Sequence, residues 1–216
     1  MRSAISLVLN SIRNWQLALQ TALFYQKMRL FYPNVTLGKN IRLYGKLIWK
    51  VAPGAKIVIG DNVVFRSSTQ YNAIGLYNPV IISVANGATL HIDHDCGFSG
   101  TSINVTSSVT IGPYCNLGGN TSIWDNDFHP LDYQLRRTQL EGFRKAAIAI
   151  GADSFIGANS IILKGVTIGE RSIVGAGSVV TRTIPDDQIW AGNPARFIRD
   201  VPASTLAEIT RPAYSL

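Results

Sequence analysis

IGADSFIGANSIILKGVTIGERSIVGAGSVVTR, residues 150–182, decides the fold. Aliphatic residues recur at every sixth position, at Ile150, Ile156, Ile162, Ile168, Val174 and Val180, and Gly151, Gly157, Gly169 and Gly175 each follow one of them. A strand alternates sides, while a helical face repeats about every 3.6 residues, so neither alone produces a six. A strand of about four residues followed by a two-residue corner does. The aliphatic side chain then points inward, and glycine lets the backbone turn. Three such sides close a coil of about 18 residues, and coils stack about 4.8 Å apart as parallel strands. The period predicts a triangular β-solenoid whose neighbouring coils cover each other.

The step continues upstream through Val105, Ile111, Leu117 and Ile123, with Gly112 and Gly118 in the matching slots. Weaker traces run through Leu37, Leu43 and Trp49, then Ile59 and Phe65. Two segments break the rhythm. Residues 66–83 lose register, as an irregular coil does. Residues 124–147 (WDNDFHPLDYQLRRTQLEGFRKAA) are polar and aperiodic, and the period resumes straight afterward. Long excursions from regular structure are uncommon and usually functional.

Composition sets the outer bounds. The 216 residues are 46% hydrophobic and 15% charged, enough for a sizeable core in one main domain. Cys96 and Cys115 are too few for a disulfide framework and read as small buried thiols, suited to a reducing cytoplasm. The apolar run 4–9 is too short for a secretory signal.

Charge is unevenly placed. Residues 1–60 hold nine basic residues and no acid, and the first carboxylate is Asp61. Within residues 3–30, Ile5, Val8, Ile12, Trp15, Leu19 and Ala22 follow steps of three and four, a helical stripe. The stripe either packs on the domain or another copy, or lies on anionic lipid at the inner face of the membrane or near a lipid-linked anionic substrate. Nucleic acid is a poor partner, because the body of the chain is slightly acidic and carries no nucleic-acid motif.

Two blocks, IWDNDFHPLDYQLRR (123–137) and residues 150–199, resemble the hexapeptide-repeat acyltransferases. The likeness is greatest to maltose- and galactoside-type enzymes and to bacterial polysaccharide O-acetyltransferases. It implies an all-β, left-handed parallel β-helix, although parallel crossovers are otherwise right-handed. The expected organisation is a basic helical segment over residues 1–32 and a β-helix domain over 33–199 with a catalytic loop at 124–147. A short helical tail over 200–216 completes it. The resemblance further implies a homotrimer that uses acetyl-coenzyme A, needs no metal and modifies a sugar of a surface glycan such as lipopolysaccharide or capsule. N-acetylation of an amino sugar nucleotide and a non-catalytic scaffold are the alternatives.

Acyl transfer to a hydroxyl needs a base, and histidine titrates near working pH. His129, followed by Pro130, is the candidate. If the stretch is extended, Asp127 shares its face and could fix the imidazole or grip an acceptor hydroxyl. Glu141, twelve residues on, matches a glutamate of maltose acetyltransferases. Either acid reads equally as solvated. By resemblance, Ala158 and Ala176 are corner positions along the pantetheine arm, in a groove between subunits. Phe155 lies beside the thioester, and Thr181, Arg182 and Arg196 meet the nucleotide and phosphates. Galactoside enzymes carry an asparagine and an aspartate in the coil before the histidine loop; the corresponding stretch, CGFSGTSINVTSS (96–108), offers Ser99, Ser102 and Asn104 but no acid, a departure that argues against a simple galactoside. HIDHD (91–95) alternates faces as a strand, so a shared metal is not expected there.

Overall fold

The computed structural model describes residues 2–138 and 142–202, with side chains from residue 11 onward. The chain is a left-handed parallel β-helix preceded by one long helix, α1 (Arg2–Phe31). Three parallel sheets form the faces of a prism. Sheet A begins at Val35–Leu37 and ends at Thr167–Ile168. Sheet B runs from Arg42–Tyr44 to Ile173–Val174 before its final hairpin. Sheet C runs from Ile48–Val51 to Val179–Val180. The chain visits A, B and C in turn, so each circuit is one coil.

Register gives the coil lengths directly. Ile150 pairs with Ile168 and Ile156 with Val174, one 18-residue coil apart. Ile59 pairs with Ile92 and Ile111 with Ile150, so those coils take 33 and 39 residues. The excess is the two excursions expected at 66–83 and 124–147. All six residues of the opening hexad series are at most 2% exposed, as are Val105, Ile111, Leu117 and Ile123. Each fully buried aliphatic contributes about 1.5–3 kcal/mol. Phe65 stacks on Phe98 at 5.2 Å inside the prism, the two being the largest fully buried side chains among the described residues.

The corners explain the glycines. A Cβ built on Gly157 would sit 2.4 Å from Ala176 N and 2.8 Å from Gly175 C, so only glycine permits the stacking of coils at the B–C edge. At the A–B edge the third corner residue is left-handed in seven successive coils: Asn40, Asn62, Asp95, Tyr114, Asp153, Arg171 and Asp187, all with φ of 56–60°. Asn and Asp tolerate that region best among residues with a side chain. HIDHD is therefore such a corner, with Asp93 Oδ1 accepting the His94 N–H at 2.7 Å and Asp95 at the left-handed place. Cys96 and Cys115 are buried just beyond it. Hydrogen bonding with Cys115, and burial, push the Cys96 thiol up and keep it protonated.

Past sheet C the chain forms an antiparallel hairpin, Gln188–Gly192 with Ala195–Asp200, around a cis Asn193–Pro194 bond. The hairpin pairs with Ile173–Val174 and covers the edge that the last coil would expose. The helical tail expected over 200–216 falls mostly on residues outside those described, and Asp200 itself ends a strand.

α1 removes one of the readings left open for its apolar stripe, packing on its own domain. Its C-terminal half closes the first coil through Phe24 and Met28, buried, and through Tyr25, whose hydroxyl donates to Gly38 O at 2.7 Å. The stripe of Ile12, Trp15 and Leu19 is not the packed side; it stands exposed on the opposite side of the helix. Among the described residues, no helix is long and apolar enough to cross a membrane.

Candidate active site

The excursion at 125–147 begins where Ser122–Trp124 leaves sheet C, at the C–A edge. Its root is Asp125, which is fully buried. Its carboxylate accepts the backbone N–H of Thr106 at 2.8 and 3.0 Å, that of Ser107 at 2.6 Å and the Thr106 hydroxyl at 2.9 Å. A buried carboxylate is tolerable here because donors surround it. Asn126, also buried, donates to Asn104 Oδ1 at 2.8 Å and accepts the Phe128 N–H at 2.8 Å. The strands of the loop close as a stem, with Asp127 N bonded to Arg144 O and Ala146 N to Asp125 O.

Above the stem the chain turns sharply. His129 N donates to Asp127 O at 2.7 Å around Phe128, whose φ is +61°. A left-handed phenylalanine lacks the freedom of glycine, and the turn holds because Asn126 fixes it from below. The local stretch is thus not extended, and Asp127 does not share a face with His129. Its carboxylate is ion-paired instead with Lys164, from the corner of the next coil, both side chains being largely covered. His129 is exposed, and its ring makes no hydrogen bond to any described residue. Trp124 and Phe128 meet edge to face at 5.5 Å beside it. Asp132, the second acid flanking the histidine, caps the short helix α2 (Tyr133–Thr138) by accepting from Gln134 N and Leu135 N. Glu141 lies outside the described residues.

The other expected site residues divide between two edges of the prism. Ala158 and Ala176 lie at the B–C edge, after Phe155–Ile156 and Ile173–Val174. Their backbone N–H groups find no acceptor among the described residues. Phe155 faces outward from sheet B, 47% exposed. Arg196, on the hairpin, pairs with Ala191, whose Cβ lies against Gly175 at the same edge. Thr181 and Arg182 follow Val179–Val180 and sit exposed at the C–A edge, with the histidine loop. The width of sheet C, about 3.3 Å per residue of strand, separates the two groups. Ser99 is at the B–C edge, buried and accepting from Asn72 Nδ2 at 2.8 Å, while Asn104 supports the histidine loop. These two do not converge within one chain.

Sequence reasoning missed two participants and the reach of a third. Asp125 and Lys164 hold the loop. The third is the irregular excursion 67–80, which drapes along the B–C edge across several coils. Asn120 bonds Gly75 O and Tyr77 N, and the Tyr77 hydroxyl lies 3.2 Å from Asn159 Oδ1, next to Ala158.

Comparisons with known proteins agree with this architecture. Residues 147–182 match the family model described as the hexapeptide repeat of succinyl-transferase. The Staphylococcus aureus (strain COL) protein named "Putative acetyltransferase SACOL2570" is 38% identical over 87 residues, 38% of this chain and 42% of its own length. The chain thus spans less than half of that relative. Protein CapG of Staphylococcus aureus is 36% identical over 118 residues, 53% of this chain and 67% of CapG. Among solved structures, the hexapeptide-repeat acetyltransferase VCA0836 of Vibrio cholerae superposes with a TM-score of 0.55 at 25% identity, covering 83% of this chain and 80% of that one. A mutant of AntD, a Bacillus cereus N-acyltransferase in complex with dTDP-4-amino-4,6-dideoxyglucose and coenzyme A, superposes at 0.64 and 21% identity, covering 83% and 90%. That last likeness is one of fold. With the hexads buried in register, the match to the repeat and the reach of the CapG alignment, the chain belongs to the hexapeptide-repeat acetyltransferase family.

Proposed function

We propose that the protein transfers an acetyl group from acetyl-coenzyme A to a hydroxyl of a bacterial surface saccharide, with His129 as general base. The observation that carries this reading is the held turn. A buried carboxylate, a buried amide and an ion pair fix a loop whose tip presents an imidazole with no hydrogen-bond partner among the described residues, beside two aromatic faces. Rigid presentation of a base costs backbone strain and buried polarity, which a solvated surface histidine does not need.

In the reaction the imidazole takes the acceptor hydroxyl proton as that oxygen attacks the thioester carbonyl. The carbon–sulfur bond breaks, and the proton passes to the departing thiolate. Acetyl goes directly to the acceptor, with no covalent enzyme intermediate. The coenzyme fits the B–C edge of a chain: Ala158 and Ala176 present small side chains and N–H groups with no acceptor among the described residues to the amide carbonyls of a pantetheine arm, and Arg196 supplies positive charge for its phosphates. Thr181 and Arg182 would contribute from the C–A edge. Asp127, tied to Lys164, would hold the turn and offer an oxygen to an acceptor hydroxyl.

Because His129 and the alanines stand on opposite edges of sheet C, one chain carries two half-sites. A homotrimer that sets the C–A edge of one copy against the B–C edge of the next completes them, as closed cyclic symmetry permits. In that arrangement Tyr77 and the 67–80 excursion border the B–C half of the cleft, beside Ala158. With acetyl-coenzyme A as donor, the reaction belongs to the cytoplasm. Mass spectrometry of products tests the reading, with acetyl-coenzyme A against a panel of oligosaccharides and amino sugar nucleotides. An alkali-labile O-acetyl saccharide is expected; N-acetylated amino sugar as the sole product, or no product at all, overturns it.

A further inference from the structure

α1 has two apolar faces, and the solenoid uses one. Phe24 and Met28 are buried against the first coil, with Leu17 and Thr21 half-buried on the same side. At about 100° per residue, Ile12, Trp15, Leu19, Leu23 and Leu30 fall within one arc of roughly 80° on the opposite side. They are 50, 78, 56, 56 and 69% exposed. Core packing does not account for this face, because the core is already closed from the other one.

The charges beside the stripe choose its occupant. Lys27 and Arg29 flank it, one on each side, and α1 contains no acidic residue; the first carboxylate of the chain is Asp61. A second copy laid face to face would set these cations against their own kind with nothing to neutralise them. The nearest carboxylates in sequence, Asp61, Asp93 and Asp95, are committed to corner turns at the A–B edge. An anionic bilayer offers what a second copy lacks, an apolar layer beneath a plane of negative charge. Lysine and arginine at the margin of a buried stripe reach that plane with their long stems.

We propose that α1 lies in the plane of an anionic lipid surface, with Ile12, Trp15, Leu19 and Leu23 at the acyl boundary and Lys27 and Arg29 at the phosphates. The solenoid hangs from the opposite face of the helix, so docking needs no unfolding. Trp15 is then an interfacial aromatic. The inference is independent of the acetyl-transfer reading, since the vesicle assay contains neither donor nor acceptor.

The test is co-sedimentation of the full chain with phosphatidylcholine vesicles, with and without phosphatidylglycerol, at low and high salt. Binding is expected only when phosphatidylglycerol is present. It should fall steeply in about 1 M salt, where the Debye length shrinks to about 3 Å. Lys27→Gln and Arg29→Gln should each weaken partitioning about fivefold. Trp15→Ser with Leu19→Ser should weaken it at least about tenfold, with no change in melting temperature, because neither side chain touches the solenoid. Absent binding at low salt, equal binding to pure phosphatidylcholine, or an unaffected double serine variant overturns the proposal. So does a drop in oligomeric mass of the double variant by light scattering, which assigns the face to contact between copies.

Discussion

Asp125→Ala is the sharpest probe of how the fold builds the site. The carboxylate is fully buried and serves the N–H groups of Thr106 and Ser107 and the Thr106 hydroxyl. Removing it leaves two backbone donors unpaired at the root of the loop. Each unmade bond costs about 1–3 kcal/mol, and the half-buried corner admits some water, so about 2–4 kcal/mol in total is expected. Urea unfolding at fixed protein concentration reads that loss, since an oligomer's stability depends on concentration. Amide exchange locates it. Protection should fall at Thr106, Ser107, Asp127 and Ala146, while the buried hexad positions from Ile148 to Val180 keep theirs. Acetyl transfer should fall with the loop protection. A loss under about 0.5 kcal/mol, or unchanged exchange at Asp127 and Ala146, would refute the claim that Asp125 anchors the loop.

Three further outcomes follow from other parts of the structure. Gly157→Ala puts a methyl 2.4 Å from Ala176 N with only backbone around it, so it should destabilise by about 1–3 kcal/mol or more in the same urea assay. Lys164→Met should release Asp127 and lower turnover about fivefold, on the order of 1 kcal/mol for an incompletely buried pair, and Lys164→Arg should restore part of it. At the A–B edge Arg171, bonded to Asp187 at 2.6 and 2.8 Å, holds that carboxyl below its ordinary range. The stability from this pair is full at neutral pH and lost only as pH falls through the lowered value. Asp187→Asn should therefore lower the melting temperature at pH 7, and the difference from the parent should vanish in strong acid.

The coils were legible because their signal is local and repeated. From Ile150 to Val180 each aliphatic of the series announces itself six positions after the last, and all are buried. The N-terminal sixes are weaker because the first coil is 22 residues long, Leu37 pairing with Ile59 and Leu43 with Phe65, and the next takes in the 67–80 excursion. The helix was legible as a helix, but not which side it packs. Steps of three and four report an apolar stripe, and α1 has two, so Leu17, Phe24 and Met28 hid behind Ile12, Trp15 and Leu19. At the loop, Asn-Asp-Phe-His-Pro should have read as a turn, since asparagine bonds its own backbone two residues on. Treating it as extended placed Asp127 wrongly. Lys164 lies 37 residues after Asp127, and Asp125 meets donors 18 and 19 residues upstream. Such contacts exist only once the coils stack, and no local pattern carries them. The left-handed corners do leave a trace, in the Asn or Asp that fills five of the seven places, and HIDHD is explained by it.

The most direct test of the central claim is turnover of His129→Ala with acetyl-coenzyme A and a saccharide acceptor identified by product mass. General-base removal predicts a fall of roughly 10²–10⁴-fold, with coenzyme affinity nearly unchanged, since the alanines and arginines proposed to hold the donor are untouched. Acetylation of that acceptor by His129→Ala at close to the parent rate would contradict the mechanism outright.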